Sequence, residues 1–282
     1  MVAEKPLSGY ALGYTDAEHA RLIYQASRLA PLTERVFCEA GIASGQRVLD
    51  IGSGVGDVAI LAAKMVGPAG EVVGIERDAR SIARARTRVA EAQLRNVTFL
   101  QADVSQIPEG RPFDAAVGRL ILQYIPDPVT ALRSVSRFVR PGGILAFQEP
   151  SFAPYLRIAE RLPLWSSVVS LVEKTFRCAG ANTEIGLSLH ALFEKAGLPP
   201  PAMHLDMPLG TDPQFVGWIC DLLFSLQPQA QQYNVSLEKL GDLTTLSDRL
   251  RAEVVASKTV VDRKSTRLNS SHSGESRMPS SA

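Results

Sequence analysis

Residues 47–61 read RVLDIGSGVGDVAIL. An apolar run from Arg47 to Ile51 enters a turn with glycines at 52, 54 and 56, and a helical pattern follows, VAILAAKMV at 58–66. Strand, glycine turn and helix in that order make the first crossover of a nucleotide-binding α/β sheet. Two carboxylates disturb the usual reading. Asp50 stands two residues before the first glycine, and Asp57 takes the last position of the dinucleotide fingerprint G-x-G-x-x-G. A carboxylate facing a pyrophosphate in a low-dielectric crevice is unfavourable. A guest carrying positive charge reverses the sign of that argument.

Outward from this stretch, short apolar runs alternate with helical patterns. The runs are EVVGIE (71–76), VTFLQAD (97–103), FDAAVGRL (113–120) and, after Pro141-Gly142-Gly143, ILAFQEP (144–150). Between them lie an Arg-rich helix, a loop through Ile107 and Pro108, and a helix from Pro128 to Val139. Five such strands joined by crossovers predict a mostly parallel, doubly wound sheet with helices on both faces, an α/β Rossmann-like fold. Upstream, Thr15-Asp16-Ala17-Glu18 is a capping box, and Pro31 is expected to open a second helix that Gly41 closes. Residues 151–197 read as a helical insert. AMHLDMPLG at 202–210 reads as one more strand, and 213–258 is helical again. The expected organisation is an N-terminal helical segment (1–45), a cofactor-binding core (46–150), a helical substrate cap (151–197) and the remainder of the core (198–261).

The chain ends DRKSTRLNSSHSGESRMPSSA, residues 262–282, where the composition shifts to Ser, Arg and Lys. Residues 262–272 and 276–282 resemble the in-frame translation of the two constant parts of a sequencing adapter. The stretch is therefore expected to be an artefactual, disordered tail that replaces the true C-terminus. On that reading the final antiparallel strand of the sheet is missing, and the fifth strand keeps an unpaired edge.

Composition narrows the function. The 282 residues carry a net charge of +1, which gives no general attraction for nucleic acid or an anionic membrane. The six arginines of Glu76–Asn96 read as a solvated helix face, because Ile82, Ala85 and Val89 keep helical spacing opposite them. No apolar run is long enough for a membrane span, and the N-terminus lacks the pattern of a signal peptide. Cys38, Cys178 and Cys220 are far apart, as are the four histidines, which suits a reducing cytoplasm and argues against a metal site.

A cationic guest without phosphate is S-adenosylmethionine, which has a sulfonium, an ammonium and one carboxylate. Asp50 can favour its cationic end, and helix N-terminal amides can receive its carboxylate. Glu76, ending the second strand, can accept from both ribose hydroxyls, and Asp103, ending the third, from the adenine amine. The segments VLDIGSGVGDVAILAA, VVGIERD, VTFLQADVSQIP, FDAAVGRLILQYIPDP and VRPGGILAF occur in order. With them the chain resembles the class I S-adenosylmethionine-dependent methyltransferases over residues 40–150, with a general look of quinone-biosynthesis and natural-product enzymes. The resemblance implies a cradle of Asp50, Gly52, Gly54 and Gly56, with Glu76 on ribose, Asp103 and Val104 at adenine, and Arg119 and Leu120 at the methyl-transfer end.

The acceptor is expected to be a small molecule methylated on O, N or C. In this superfamily the acceptor pocket uses an N-terminal segment and the insert after the fifth strand, which here supply Tyr10, Tyr14, Phe152 and Tyr155. Trp165 and Phe176 read as core packing. Glu149, ending the fifth strand, is the first candidate for a catalytic base and His19 the second. An Asn/Asp-Pro-Pro-Tyr motif is absent after the fourth strand, where Gly118-Arg119-Leu120 stands, and there is no Pro-Cys dipeptide, which disfavours nucleobase acceptors. Two other readings are a nicotinamide-dependent oxidoreductase, which needs the glycine that Asp57 replaces, and a non-catalytic module that binds the same cofactor.

Overall fold

The structure, a computed structural model, describes residues 12–104, 107, 110–159, 161–206, 213–257 and 273–277. The chain divides into two compact units. One contains the sheet and comprises residues 14–150 and 185–205 together with the strand at 273–277. The other is helical and comprises Leu12, Gly13, 151–184 and the described part of 206–257.

In the sheet unit, α1 (Asp16–Ala40) starts at Thr15, whose hydroxyl accepts from the Glu18 amide, and ends at Gly41 in the left-handed region. It runs through Pro31 without a break, so the expected two helices are one. The buried positions Ala26, Thr33, Val36, Phe37 and Ala40 lie on both sides of the proline, and their packing outweighs the one backbone bond it forfeits. There follow β1 (Arg47–Ile51), α2 (Asp57–Val66), β2 (Glu71–Glu76), α3 (Ala79–Glu91), β3 (Val97–Gln101), β4 (Phe113–Arg119), α4 (Pro128–Ser136) and β5 (Val139–Gln148). These five strands are parallel, in the order β3-β2-β1-β4-β5, and the order reverses between β1 and β4.

Side-chain alternation along each strand divides the core in two. Val48, Val72, Ala115, Val117, Ile144 and Ala146 pack under α1, α2 and α3. Leu49, Ile51, Val73, Ala116, Leu145 and Phe147 pack under α4 and α7 (Ile185–Lys195). Ile185, Leu189 and Phe193 follow one another at helical spacing and are buried on that second face. Helix α7 therefore belongs to the sheet unit and not to the expected insert.

Beyond β5 the sheet gains β6 (Ala202–His204) and β7 (Ser273–Arg277), in the order β5-β7-β6 with both pairings antiparallel. The edge of β5 is thus covered, contrary to expectation. Ile144 to Gln148 pair with Arg277 to Ser273, residues of the stretch that resembles adapter. A ladder is made by backbone groups, so an edge with open donors and acceptors accepts a segment whose side chains have no preference for strand. The remaining expected tail lies outside the described residues.

The helical unit holds α5 (Phe152–Ala159), α6 (Pro163–Cys178), α8 (Pro213–Ser225), α9 (Gln227–Gln232) and α10 (Leu246–Ser257). Its core includes Trp165, Val168, Val172 and Phe176 of α6 with Leu222, Leu223, Leu250 and Val254. The Glu253 carboxylate accepts from the Leu164 and Trp165 amides at 2.7 and 2.8 Å and so satisfies the start of α6.

Candidate functional site

The turn after β1 lies where the strand order reverses, the position at which open α/β sheets bind ligands. Gly52, Gly54 and Gly56 all have positive φ, at 66°, 51° and 85°. At Gly52 a Cβ would stand 2.5 Å from Ile121 Cδ1, so the turn after β4 packs directly on this backbone. At Gly54 a Cβ would meet nothing within 4 Å, which leaves the crevice side of the loop open to a ligand. Gly56 caps α2.

Asp50 is 1 % exposed and neither carboxylate oxygen has a hydrogen-bond partner among the described residues. Burial pushes its pKa up to about 7, against the opposing charge of Arg119 and the nearby backbone amide of Ala59. A buried carboxylate without partners costs free energy unless something external compensates it. Arg119, ending β4, donates to Thr33 Oγ1 at 3.1 Å. Burial lowers the Arg119 pKa, and the charges of Asp57 and Asp50 oppose that. Thr33 in turn donates to Gln148 Oε1 at 2.7 Å, which ties α1 to the ends of β4 and β5. Leu120 carries φ 56°, which is strained for a branched side chain, and its amide donates to the Gln148 carbonyl at 2.9 Å.

Glu76 is held in place by three backbone amides. One oxygen accepts from Gly54 at 3.0 Å, the other from Arg77 at 2.7 Å and Asp78 at 3.0 Å. The carboxylate stays partly exposed, and a carboxylate has about four acceptor sites, so it can still accept from a ligand. Asp103, past the end of β3, lies 3.7 Å from Arg77, and Val104 packs on the apolar layer under α4 and α7. The structure thus brings Asp50, the three glycines, Glu76, Arg119 and Leu120 to the carboxyl ends of β1, β2 and β4, with Asp103 and Val104 just beyond β3.

Other expected residues are placed differently. Asp57 forms an ion pair with Arg88 at 2.7 Å, and Arg88 also donates to the Val55 carbonyl. The charge of Asp57 is therefore compensated inside the protein, and the case against a diphosphate rests on Asp50 and Glu76. Arg88 was missed because the Arg-rich helix reads as one solvated face; its position one turn from Ala85 is the clue that it turns inward.

Glu149 is 1 % exposed and its carboxylate accepts from the Ile121 and Leu122 amides at 2.9 and 2.8 Å and from Gln123 at 3.4 Å. It satisfies the start of the 3-10 turn Leu122–Tyr124. Burial pushes its pKa up to about 7 in spite of those amides. His19 is buried with Nε2 3.2 Å from Ser81 Oγ at the start of α3, and no hydrogen bond links it to Glu149. Both base candidates are thus buried and hydrogen-bonded within the protein.

Tyr14 lies by the Glu76 end of the sheet: its ring is 6.0 Å from Arg80, and burial and then the charge of Glu76 raise its pKa. Tyr10 lies outside the described residues. Phe152 and Tyr155 belong to α5 of the helical unit, where the Phe152 ring is 6.2 Å from that of Phe176. Thr33, Gln148 and Ile121 are further residues of the site that the sequence did not point to, because only the packing of α1 and of the β4 turn brings them there.

A family model described as a methyltransferase domain matches residues 42–197. The chain belongs to this family. Within the methyltransferases, the chain is 32 % identical over 162 residues to the ubiquinone/menaquinone biosynthesis C-methyltransferase of Coxiella burnetii, which covers 54 % of this chain and 65 % of that protein. It is 32 % identical over 183 residues to the demethylmenaquinone methyltransferase of Staphylococcus aureus, covering 58 % and 72 %. The chain spans less than two thirds of the length of the first of these relatives.

Among solved structures, an S-adenosylmethionine-dependent methyltransferase from Aquifex aeolicus aligns with a TM-score of 0.52 at 20 % identity, over 68 % of this chain and 93 % of that one. The [4+2]-cyclase SpnF aligns with a TM-score of 0.53 at 21 % identity, over 89 % and 81 %. These structural likenesses establish the class I methyltransferase fold. No helix among the described residues is long and apolar enough to cross a membrane, and no three or more His, Cys, Asp or Glu among them gather as a metal site would.

Proposed function

We propose that this methyltransferase moves a methyl group from S-adenosylmethionine to O, N or C of a small-molecule acceptor in the cytoplasm. The observation that carries the reading is Asp50, a buried carboxylate with two orphaned oxygens beside an open glycine turn. A cationic guest supplies the missing partner, whereas a diphosphate adds charge of the same sign. Asp50 is assigned to the cationic end, and Arg119 with the first-turn amides of α2 to the carboxylate. Glu76 is assigned to the ribose hydroxyls, its oxygens already oriented by Gly54, Arg77 and Asp78. Asp103 and Val104 are assigned to adenine, and Leu120 to the wall of the methyl-transfer end.

When bound, the cofactor supplies a methyl group on a positively charged sulfur, already activated for transfer. The residues of the chain then have to orient and exclude water, and orientation alone is worth several powers of ten in rate. Glu149, buried against three amides, is assigned to holding the turn after β4 rather than to proton transfer. The relatives from quinone biosynthesis make an apolar aromatic ring the first acceptor class to test, and near-neutral charge disfavours nucleic acid.

The test is calorimetric titration with S-adenosylmethionine, its demethylated product and NAD, followed by transfer of labelled methyl into a metabolite extract. Tighter binding of NAD contradicts the proposal. Cofactor binding without any label transfer favours a binding module on the same fold.

A further inference from the structure

We infer that Glu149 is a positioning residue, one that sets the cofactor crevice through the turn after β4 without touching the reacting atoms. The inference rests on the methyltransferase reading only for the ligand used in its test. Three consecutive amides, Ile121, Leu122 and Gln123, point at one carboxylate that is itself buried. The residue before them, Leu120, holds φ 56°, and the Gln123 side-chain amide closes back on the Leu120 carbonyl at 3.3 Å. A left-handed leucine persists only where its surroundings over-determine it. Glu149, by fixing the next three amides, is part of that determination.

The turn so held matters because of what Ile121 touches. A Cβ on Gly52 would lie 2.5 Å from Ile121 Cδ1, and one on Gly118 would lie 2.9 Å from Ile121 Cγ2. The side chain is wedged between the first glycine of the cradle and the end of β4. Glu149, the 121–123 amides, Ile121 and Gly52 form a continuous mechanical chain from the end of β5 to the ligand crevice. Removing the carboxylate leaves two buried amides and one part-buried amide without that acceptor, which frees the turn and unseats Ile121. Glutamine keeps one carbonyl oxygen in the place that serves Ile121 and Leu122.

The experiment compares full-length wild type, E149A and E149Q in three measurements: calorimetric affinity for S-adenosylhomocysteine, hydrogen exchange of the peptide covering 120–124, and turnover. E149A is expected to weaken binding by about tenfold or more and to speed exchange of that peptide by a similar factor. E149Q is expected to stay within about threefold of wild type in all three measurements. The inference is overturned if E149A leaves exchange unchanged. It is also overturned if both variants bind normally and E149Q loses turnover as completely as E149A, the pattern of a proton-accepting base. If wild type itself binds no S-adenosylhomocysteine, the cofactor assignment fails, and the exchange comparison with E149Q as rescue still decides the role of Glu149.

Discussion

Two aspartates on adjacent strands, Asp50 at the carboxyl end of β1 and Asp114 at the amino end of β4, show the opposite ends of the sheet at work. Asp114 is complete within the chain: it accepts from the Arg47 amide and the Arg140 guanidinium, both at 2.7 Å. Burial disfavours its charge, but those bonds and the nearby arginines outweigh burial and hold its pKa below the ordinary value. Asp50 has neither bond, and burial pushes it up to about 7. The amino end of the sheet is finished by its own sequence. The carboxyl end keeps a buried carboxyl whose oxygens lack a hydrogen-bond partner among the described residues, and that contrast locates function.

Glycine substitutions give the largest expected effect on stability. G52A combines a positive φ with the Ile121 contact and should lose about 2–4 kcal/mol by denaturant unfolding. G54A has the positive φ without a contact, so it should lose about 1 kcal/mol while weakening cofactor binding about tenfold or more. Equal stability losses in the two variants would show that the crevice end is not built around an open turn.

Exchanging each aspartate for asparagine comes next. D114N should cost about 1–3 kcal/mol, because it removes charge-assisted bonds, and should leave cofactor affinity unchanged. D50N should cost nothing in thermal stability and raise it above pH 7. The pH dependence has opposite signs at the two sites. An acid whose pKa is raised by folding contributes most below its unfolded value, and that contribution falls as pH climbs towards about 7, as for Asp50 and Glu149. Asp114, lowered by folding, contributes above its ordinary value and loses the contribution on acidification. Melting curves from pH 2 to 8 should therefore flatten between about pH 4 and 7 in D50N and below about pH 4 in D114N. R88A is expected to lose about 1–2 kcal/mol with less than about threefold change in affinity, since Asp57 then loses its partner but faces no ligand. A large loss of binding in R88A would return Asp57 to the crevice.

The sheet was legible because its strands are short apolar runs between turns, and the glycine stretch fixed which crossover binds the ligand. The positions of Asp50, Glu76 and Arg119 followed, since strand ends in a parallel sheet converge. Residues that act through tertiary packing were not legible. Glu149 stands at a strand end like Glu76, and only the fold of the turn after β4 shows that its oxygens are consumed. Asp57 and Arg88 are 31 positions apart, and nothing local announces their pairing. Pro31 misled because local rules rank it as a helix breaker, whereas α1 is held by packing on both sides. The edge strand at 273–277 was not foreseen, because side-chain patterning does not announce the backbone ladder by which it pairs with β5.

The central claim is that the orphaned carboxylate of β1 waits for a positively charged guest. Calorimetric titration of wild type and D50N with S-adenosylmethionine at pH 8 tests it directly. Micromolar-class binding by wild type and a loss of about 100-fold in D50N, roughly 2.7 kcal/mol, is the expected result. Equal affinities for the two proteins, or binding of NAD in preference to S-adenosylmethionine, would contradict it.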